Sequence, residues 1–266
     1  MLDNLKILFH QGKQYIPDVT IAKIPGIFRG RPVISNEVVD TNALVDICPT
    51  GAISSLPKGE KLGKASLPKG QAGLYIDLGK CTFCGECAIA FPSKIKFTTD
   101  YKMATNDCQK LIIKEGQDKP IELNPELIRK EIYEYFSGSL KLRQVCAGGD
   151  GSCEMELSAC SNVNFDMGRF GVEFVASPSH ADGIVITGPI TENMSQALQI
   201  CYDAIPEPKI IILAGTDAIS GGIFDGSPAL NRNFLSKYKI DLYVPGNPIH
   251  PLTFINGVLE LIKKRK

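Results

Sequence analysis

In the stretch GKCTFCGECAIAFPSK (residues 79–94), Cys81, Cys84 and Cys87 are separated by two residues each. Thiolates at this C-x₂-C-x₂-C spacing can wrap one inorganic iron–sulfur cube. The full motif closes with a fourth cysteine followed by proline. Here Pro92 is in place, but Phe91 occupies the fourth cysteine position. A three-thiolate loop needs its last ligand from elsewhere in the chain.

That ligand is found upstream. In two-cluster iron–sulfur proteins the fourth cysteine of each run serves the other run's cluster. A second Cys-Pro pair, Cys48–Pro49, lies in ALVDICPTGAI. Counting back from Cys48 with the same spacing reaches Val38, Thr41 and Leu44. Cys48, Cys81, Cys84 and Cys87 therefore make one complete ligand set, for one 4Fe–4S cluster. Val38, Thr41, Leu44 and Phe91 stand where the ligands of a second cluster would be, and none is a cysteine. Their mostly apolar replacements are expected to fill the vacated space, with Val38, Leu44 and Phe91 buried in mutual contact. Gly85 lets the backbone approach cluster sulfur closely.

The bulk of the sequence agrees with metal ligation rather than disulfides. Nine cysteines occur without a secretory signal: the N-terminus has no long apolar core and no small-residue cleavage site. A cytoplasmic location is expected. No apolar run reaches the length of a membrane-spanning helix. Lys plus Arg equals Asp plus Glu, 29 each, so nothing points to nucleic acid. The basic end LIKKRK is the natural finish of a helix.

The elements that must position these residues fall into two sets. GRPVIS, GLYIDL and KIKFTTD are strand-like, and fit a small α+β ferredoxin-like domain over residues 1–114. The segment SSLPKGEKLGKASLPKGQAG is expected to be an exposed insertion between its halves. Residues 115–138 are expected to be a linker with one helix, Asn124 as N-cap, Pro125 in the first turn and Gly138 past the end. From 139 to 266, strand-like LKLRQV, GVEFVAS, GIVITGP, KIIILAG and DLYVPG alternate with helical stretches, one of them capped by Thr191. Such alternation predicts an α/β domain with a parallel sheet covered on both faces. Ligands in such sheets gather at the carboxyl ends of strands, where AGGDGSC, AGTDAISGG and PGNPIHP lie. The first turn lacks the last glycine of G-x-G-x-x-G and any Walker lysine, so it is a weak phosphate signal.

With these turns the chain resembles the small iron–sulfur subunit (the B subunit) of NADH–quinone oxidoreductase and of the related membrane-bound, energy-converting nickel–iron hydrogenases. The likeness is to versions fused to an N-terminal ferredoxin domain. It is carried by FRGRPVI, LKLRQVCAGG, FDMGRFGVEFVASPSHADGIVITGPITENM, PEPKIIILAGTDAISGGIF and DLYVPGNPIHPLTFINGVLELI. The resemblance implies a flavodoxin-like α/β domain holding a 4Fe–4S cluster beside a large catalytic subunit. It places the family's cysteines at Asp150, Cys153, Asp217 and Asn247, so three of four thiolates are missing. A second cluster is therefore not expected. Hydrated carboxylates or a hard cation on oxygen ligands are the two alternatives for that site. Its four side chains are expected to converge on one pocket.

Cys146 and Cys160 are expected to be small buried side chains, Cys108 and Cys201 core residues of helices, and His180 and His250 turn supports. No residue is assigned a catalytic role. The expected function is electron transfer through one cluster, within a complex containing a large subunit. The alternative is a structural or regulatory subunit that mainly docks that large subunit. Attachment to the cytoplasmic side of a membrane would run through partner subunits.

Overall fold

The computed structural model describes residues 2–12, 15–55 and 73–263. Most of the Lys/Gly/Pro/Ser-rich insertion and the last three residues of the basic end lie outside the described residues.

The N-terminal half supplies α1 (Leu2–Gln11), β1 (Pro32–Ile34), α2 (Thr41–Asp46), β2 (Ile53–Ser55), β3 (Leu74–Asp77), α3 (Glu86–Ala90), β4 (Ile95–Phe97) and β5 (Ile112–Lys114). β1 pairs antiparallel with β4, and β2–β3–β5 form a second antiparallel sheet. Ile34, Leu44, Ile76, Leu78, Ile95 and Leu111 close a core between them. Lys94 is buried there with its charge answered: its Nζ donates to Glu115 Oε1 and to the Glu37 carbonyl, each at 2.5 Å.

The expected helix of residues 124–137 is broken in two. Asn124 does cap, accepting from the Glu126 amide at 3.1 Å, but it opens only a single 3₁₀ turn, Pro125–Leu127. Ile128 and Arg129 are extended, and α4 (Lys130–Phe136) begins only after them. The cause is tertiary. Arg129 forks onto both carboxylate oxygens of buried Asp241, 3.0 Å each, and donates to the Lys209 carbonyl at 2.6 Å. A bidentate, charge-assisted contact of this kind outweighs the weak propensity to continue the helix.

The C-terminal half runs β6 (Leu140–Cys146), α5 (Ser152–Ala159), β7 (Val172–Phe174), β8 (Gly183–Thr187), α6 (Glu192–Asp203), β9 (Ile210–Ala214), α7 (Thr216–Ser220), α8 (Asn233–Lys237), β10 (Leu242–Val244) and α9 (Pro251–Leu261). All five strands are parallel, in the spatial order β10–β9–β8–β6–β7. This is the flavodoxin-like order, first strand flanked by second and third. β9 shows why the sheet is covered on both faces. Ile210 and Ile212 pack with Leu157, Phe254 and Val258 on one side, while Ile211 and Leu213 pack with Leu198 and Phe234 on the other. Nearly all of α9 is buried. β10 is the edge strand, and residue Thr105 covers it by an antiparallel bridge to Tyr243.

Three local expectations differ from the structure. Thr191 holds the N-cap position of α6 without a side-chain cap, because its side chain packs on Gly148 of the glycine-rich turn. Cys108 is exposed on a 3₁₀ turn capped by Asp107, not in a helical core. Cys146 is exposed at the end of β6, whereas Cys160 is fully buried as expected.

Candidate functional site

Cys48, Cys81, Cys84 and Cys87 line one small pocket, although Cys48 is separated from the others by β2 and β3. Each is delivered by local structure that its neighbours dictate. Asp40 caps α2, accepting from the amides of Asn42 and Ala43, and Cys48 comes directly after that helix. After β3, the Asp77 carboxylate accepts from the Gly79 amide at 2.8 Å and its carbonyl accepts from the Cys81 amide at 3.0 Å. Phe83 and Gly85 both adopt positive φ, +54° and +86°, which curls the loop around the cysteines before α3 begins. The Phe83 amide donates to Cys81 Sγ at 3.3 Å. Such N–H···S bonds are one of the protein's levers on a cluster.

The chemistry of the donor set fits an iron–sulfur cluster. Burial first, then the nearness of Cys87, Cys48 and Cys84, push the Cys81 thiol up to about 12. Burial and the nearness of Cys84 and Cys48 push Cys87 up to about 11. Four thiolates here need positive charge among them. Among the described residues no three His, Cys, Asp or Glu stand close enough to share a single metal ion. A cubane holds its thiolates farther apart than one ion does, each on its own iron.

The positions where a second set of cysteines would stand, Val38, Leu44 and Phe91, are only partly packed. Leu44 is fully buried, and Phe91 is half-buried against the same core. Val38 is not: it is 85% exposed. It precedes the Asp40 cap, so it lies on the approach to α2 rather than on the helix face that carries Leu44. Leu44 and Phe91 join the core of this half, and Val38 does not.

At the carboxyl ends of the parallel strands, three of the four resemblance-derived positions come together. Cys153 Sγ lies against Gly215, 2.6 Å from where a Cβ would stand, and accepts from the Ile249 amide. Burial first, with Glu154, Asp217 and Asp150 nearby, pushes its thiol up to about 12, so it is neutral. Asp217 is raised above the ordinary carboxylate range by burial, then by Asp150 and Glu154, against the pull of Arg232. Its Oδ1 is buried with no hydrogen-bond partner among the described residues. Asp150 is lowered instead, because the hydroxyl and amide of Ser152 both donate to it. That carboxylate sits over the start of α5 and removes the anion site that a glycine-rich turn would otherwise offer. The fourth residue, Asn247, lines a separate cleft together with Cys84.

Several further residues shape these sites. Glu154 bonds the buried Thr187 hydroxyl and accepts from exposed Cys146. Arg232 donates to the carbonyls of Asp217, Ala218 and Ile219, capping the end of α7. Thr216, fully buried, donates to the Cys81 carbonyl at 2.8 Å, and Ile219 lies against Gly79. The three-cysteine loop is thus seated directly on the turn that holds Asp217. His250 caps α9, its Nδ1 accepting from Leu252, and Phe28 and Phe165 pack edge-on to its ring. His180 is exposed at a 3₁₀ turn.

Comparison with known proteins places this frame. Residues 150–261 match the family described as NADH ubiquinone oxidoreductase, 20 Kd subunit. A membrane-bound hydrogenase subunit of Pyrococcus furiosus is 34% identical over 134 residues, half of this chain and 80% of that protein. The chain belongs to this family. The B subunit of the NADH-quinone oxidoreductase of Heliobacterium modesticaldum is 40% identical over 119 residues, 44% of this chain and 68% of that protein. The B subunit of the F(420)H(2) dehydrogenase of Methanosarcina mazei is 39% identical over 116 residues, 44% of this chain and 63% of that one. As a 20 Kd-subunit relative, the chain exposes Ile223 and Phe224 next to the Asp217 turn and Met155 on α5. Among the described residues no helix is long and apolar enough to cross a membrane.

Proposed function

We propose that this chain is an iron–sulfur electron-transfer subunit of a complex-I-like or group 4 hydrogenase-like oxidoreductase. It relays electrons through one ferredoxin-type 4Fe–4S cluster on Cys48, Cys81, Cys84 and Cys87. The domain division of this reading is a ferredoxin-like unit over 1–114, a linker over 115–138 and the family's small-subunit-like α/β unit over 139–266. The carrying observation is that four cysteines from two distant segments line one pocket, in a member of a family of redox-complex subunits. The cluster, when bound, supplies a one-electron redox centre. The chain's own residues hold it, shield Cys87 and leave Cys84 at the surface, where an electron can pass to or from a partner.

The partners of this reading are a large subunit and other members of a membrane-associated complex on the cytoplasmic side. The apolar side chains of Ile223 and Phe224 beside the strand-end turns support such docking. A second reading, a mainly structural or regulatory subunit, draws on Asp150, Asp217 and Asn247, where the family resemblance places thiolates. Anaerobic purification followed by iron and sulfide analysis tests the first reading: about four irons per chain are expected. Cys48→Ser and Cys84→Ser should damage the same visible absorbance band. Iron near zero in the anaerobic wild type refutes the cluster and leaves the structural reading. Iron near eight refutes the vacancy at Cys153.

A further inference from the structure

We propose that Arg29 sets the reduction potential of the Cys48/Cys81/Cys84/Cys87 cluster, as a fixed counter-charge laid over the ligand loop. The proposal rests on the cluster reading above. Arg29 is placed by backbone on both sides. The Phe28 amide closes a turn onto the Pro25 carbonyl at 3.0 Å, and the Gly30 amide donates to Thr98 at 2.8 Å. From there its side chain lies along Gly85: Nη1, Cδ and Cζ stand 3.0, 3.1 and 3.4 Å from where a Gly85 Cβ would be. Gly85 sits between Cys84 and the helix that carries Cys87, and its φ of +86° is the left-handed turn of the ligand loop. Arg29 and Cys84 also wall the same cleft.

The protein answers its other well-placed arginines. Arg129 has Asp241, Arg31 has Asp100 and Asp118, and Arg232 has four backbone carbonyls. Among the described residues no carboxylate lies within ion-pair distance of Arg29 and no acceptor takes its N–H groups; Glu86, adjacent to Gly85, does not pair with it. A guanidinium stays charged at any working pH. The opposite charge beside it is that of four thiolates and the cluster they hold. Reduction adds one electron, hence one negative charge, without making or breaking a bond. A positive charge at this position stabilises the reduced form more than the oxidised form, and so raises the potential; local net charge is one of the protein's controls on such centres. Because Arg29 is exposed, the effect must weaken as salt rises.

The test uses the anaerobically purified full chain and two substitutions, Arg29→Gln and Arg29→Lys, with potentiometric titration by dithionite. Iron content of the wild type is measured first, and an iron-free wild type defeats the cluster reading, independently of Arg29. With iron equal in all three proteins, the Gln variant is expected at a lower midpoint potential and the Lys variant close to wild type. The Gln shift should shrink at high ionic strength. A Gln variant with full iron and an unmoved midpoint overturns the proposal, and so does a Lys variant that falls as far as Gln. If the Gln variant holds less iron, Lys decides: full iron at the wild-type potential supports the charge role, and equal iron loss overturns it.

Discussion

Replacing Thr216 by valine removes one hydroxyl and tests how firmly the cysteine loop is seated on the parallel-sheet half. Thr216 is fully buried, and its Oγ1 lies 2.8 Å from the Cys81 carbonyl and 3.2 Å from that of Gly246. A hydroxyl has one proton, and the shorter contact takes it. Gly246 keeps the Thr216 amide at 2.9 Å when the hydroxyl is gone, whereas Cys81 loses its donor. An unsatisfied buried carbonyl costs about 1–3 kcal/mol, and the partial exposure of Cys81 favours about 1–2 kcal/mol. If loosening of the loop is a local opening equilibrium, the opened population rises about 5- to 30-fold. The assay is hydrogen exchange at the amides of residues 81–84, alongside anaerobic iron release to a chelator. Both rates should rise by that factor, with Thr216→Ser near wild type because it keeps the hydroxyl. Unchanged exchange and release in Thr216→Val would refute the claim that this bond seats the loop.

Leu44→Ala should cost about 2–5 kcal/mol as a core truncation while retaining iron, since Leu44 is fully buried but is no ligand. Phe91→Ala, half-buried, should cost less, and a thermal midpoint series ranks the two. Asp217→Asn should raise the thermal midpoint at neutral pH. Burial, then Asp150 and Glu154, hold the native Asp217 carboxyl above its ordinary range, so its ionised form weakens the fold. The penalty is absent below the ordinary carboxylate pKa and develops as pH rises through the folded-state value. The gain from Asn should therefore vanish in acid, and an equal gain at pH 3.5 and pH 7 would contradict the burial argument.

What was legible in the sequence was what depends on spacing. Cysteine intervals and a displaced Cys-Pro pair name four residues that do line one pocket. The unbroken apolar run in KIIILAG gives a strand buried on both faces, and the order of strands and helices gives the parallel sheet. The features that were not legible depend on partners far away in the chain. Residues 128–129 leave the helical conformation because Arg129 reaches Asp241, 112 residues on. Thr191 loses its capping role to a contact with Gly148. An apolar Val38 at a ligand-spaced position is expected to fill space, but spacing counts residues and does not fix the direction of the chain before a helix begins. Thr216 and Arg29 lie within recognised stretches but have no ligand chemistry of their own, and Arg232 lies outside all of them. A threonine or arginine in a turn is ordinary until the fold puts a carbonyl or a cysteine loop against it.

The two sites that lack a full set of four cysteines differ in a way that bears on the electron path. In the N-terminal half two of the positions carry Leu44 and Phe91, which pack into the core and bring no charge. At the strand ends the substitutes are Asp150 and Asp217 beside a neutral Cys153, with an unanswered buried oxygen on Asp217. That chemistry disfavours an electron-rich cluster, because adding negative charge beside raised carboxylates is costly. Yet the loop of Cys81, Cys84 and Cys87 is bonded to the residue immediately before Asp217. On the proposed reading, the remaining cluster therefore stands against the very turns that carry the proximal cluster in the resembling family. Loss of the second centre then shortens the relay to one station without displacing it by a domain. On that same reading, electron exchange is left to the cleft that Cys84, Arg29 and Asn247 line.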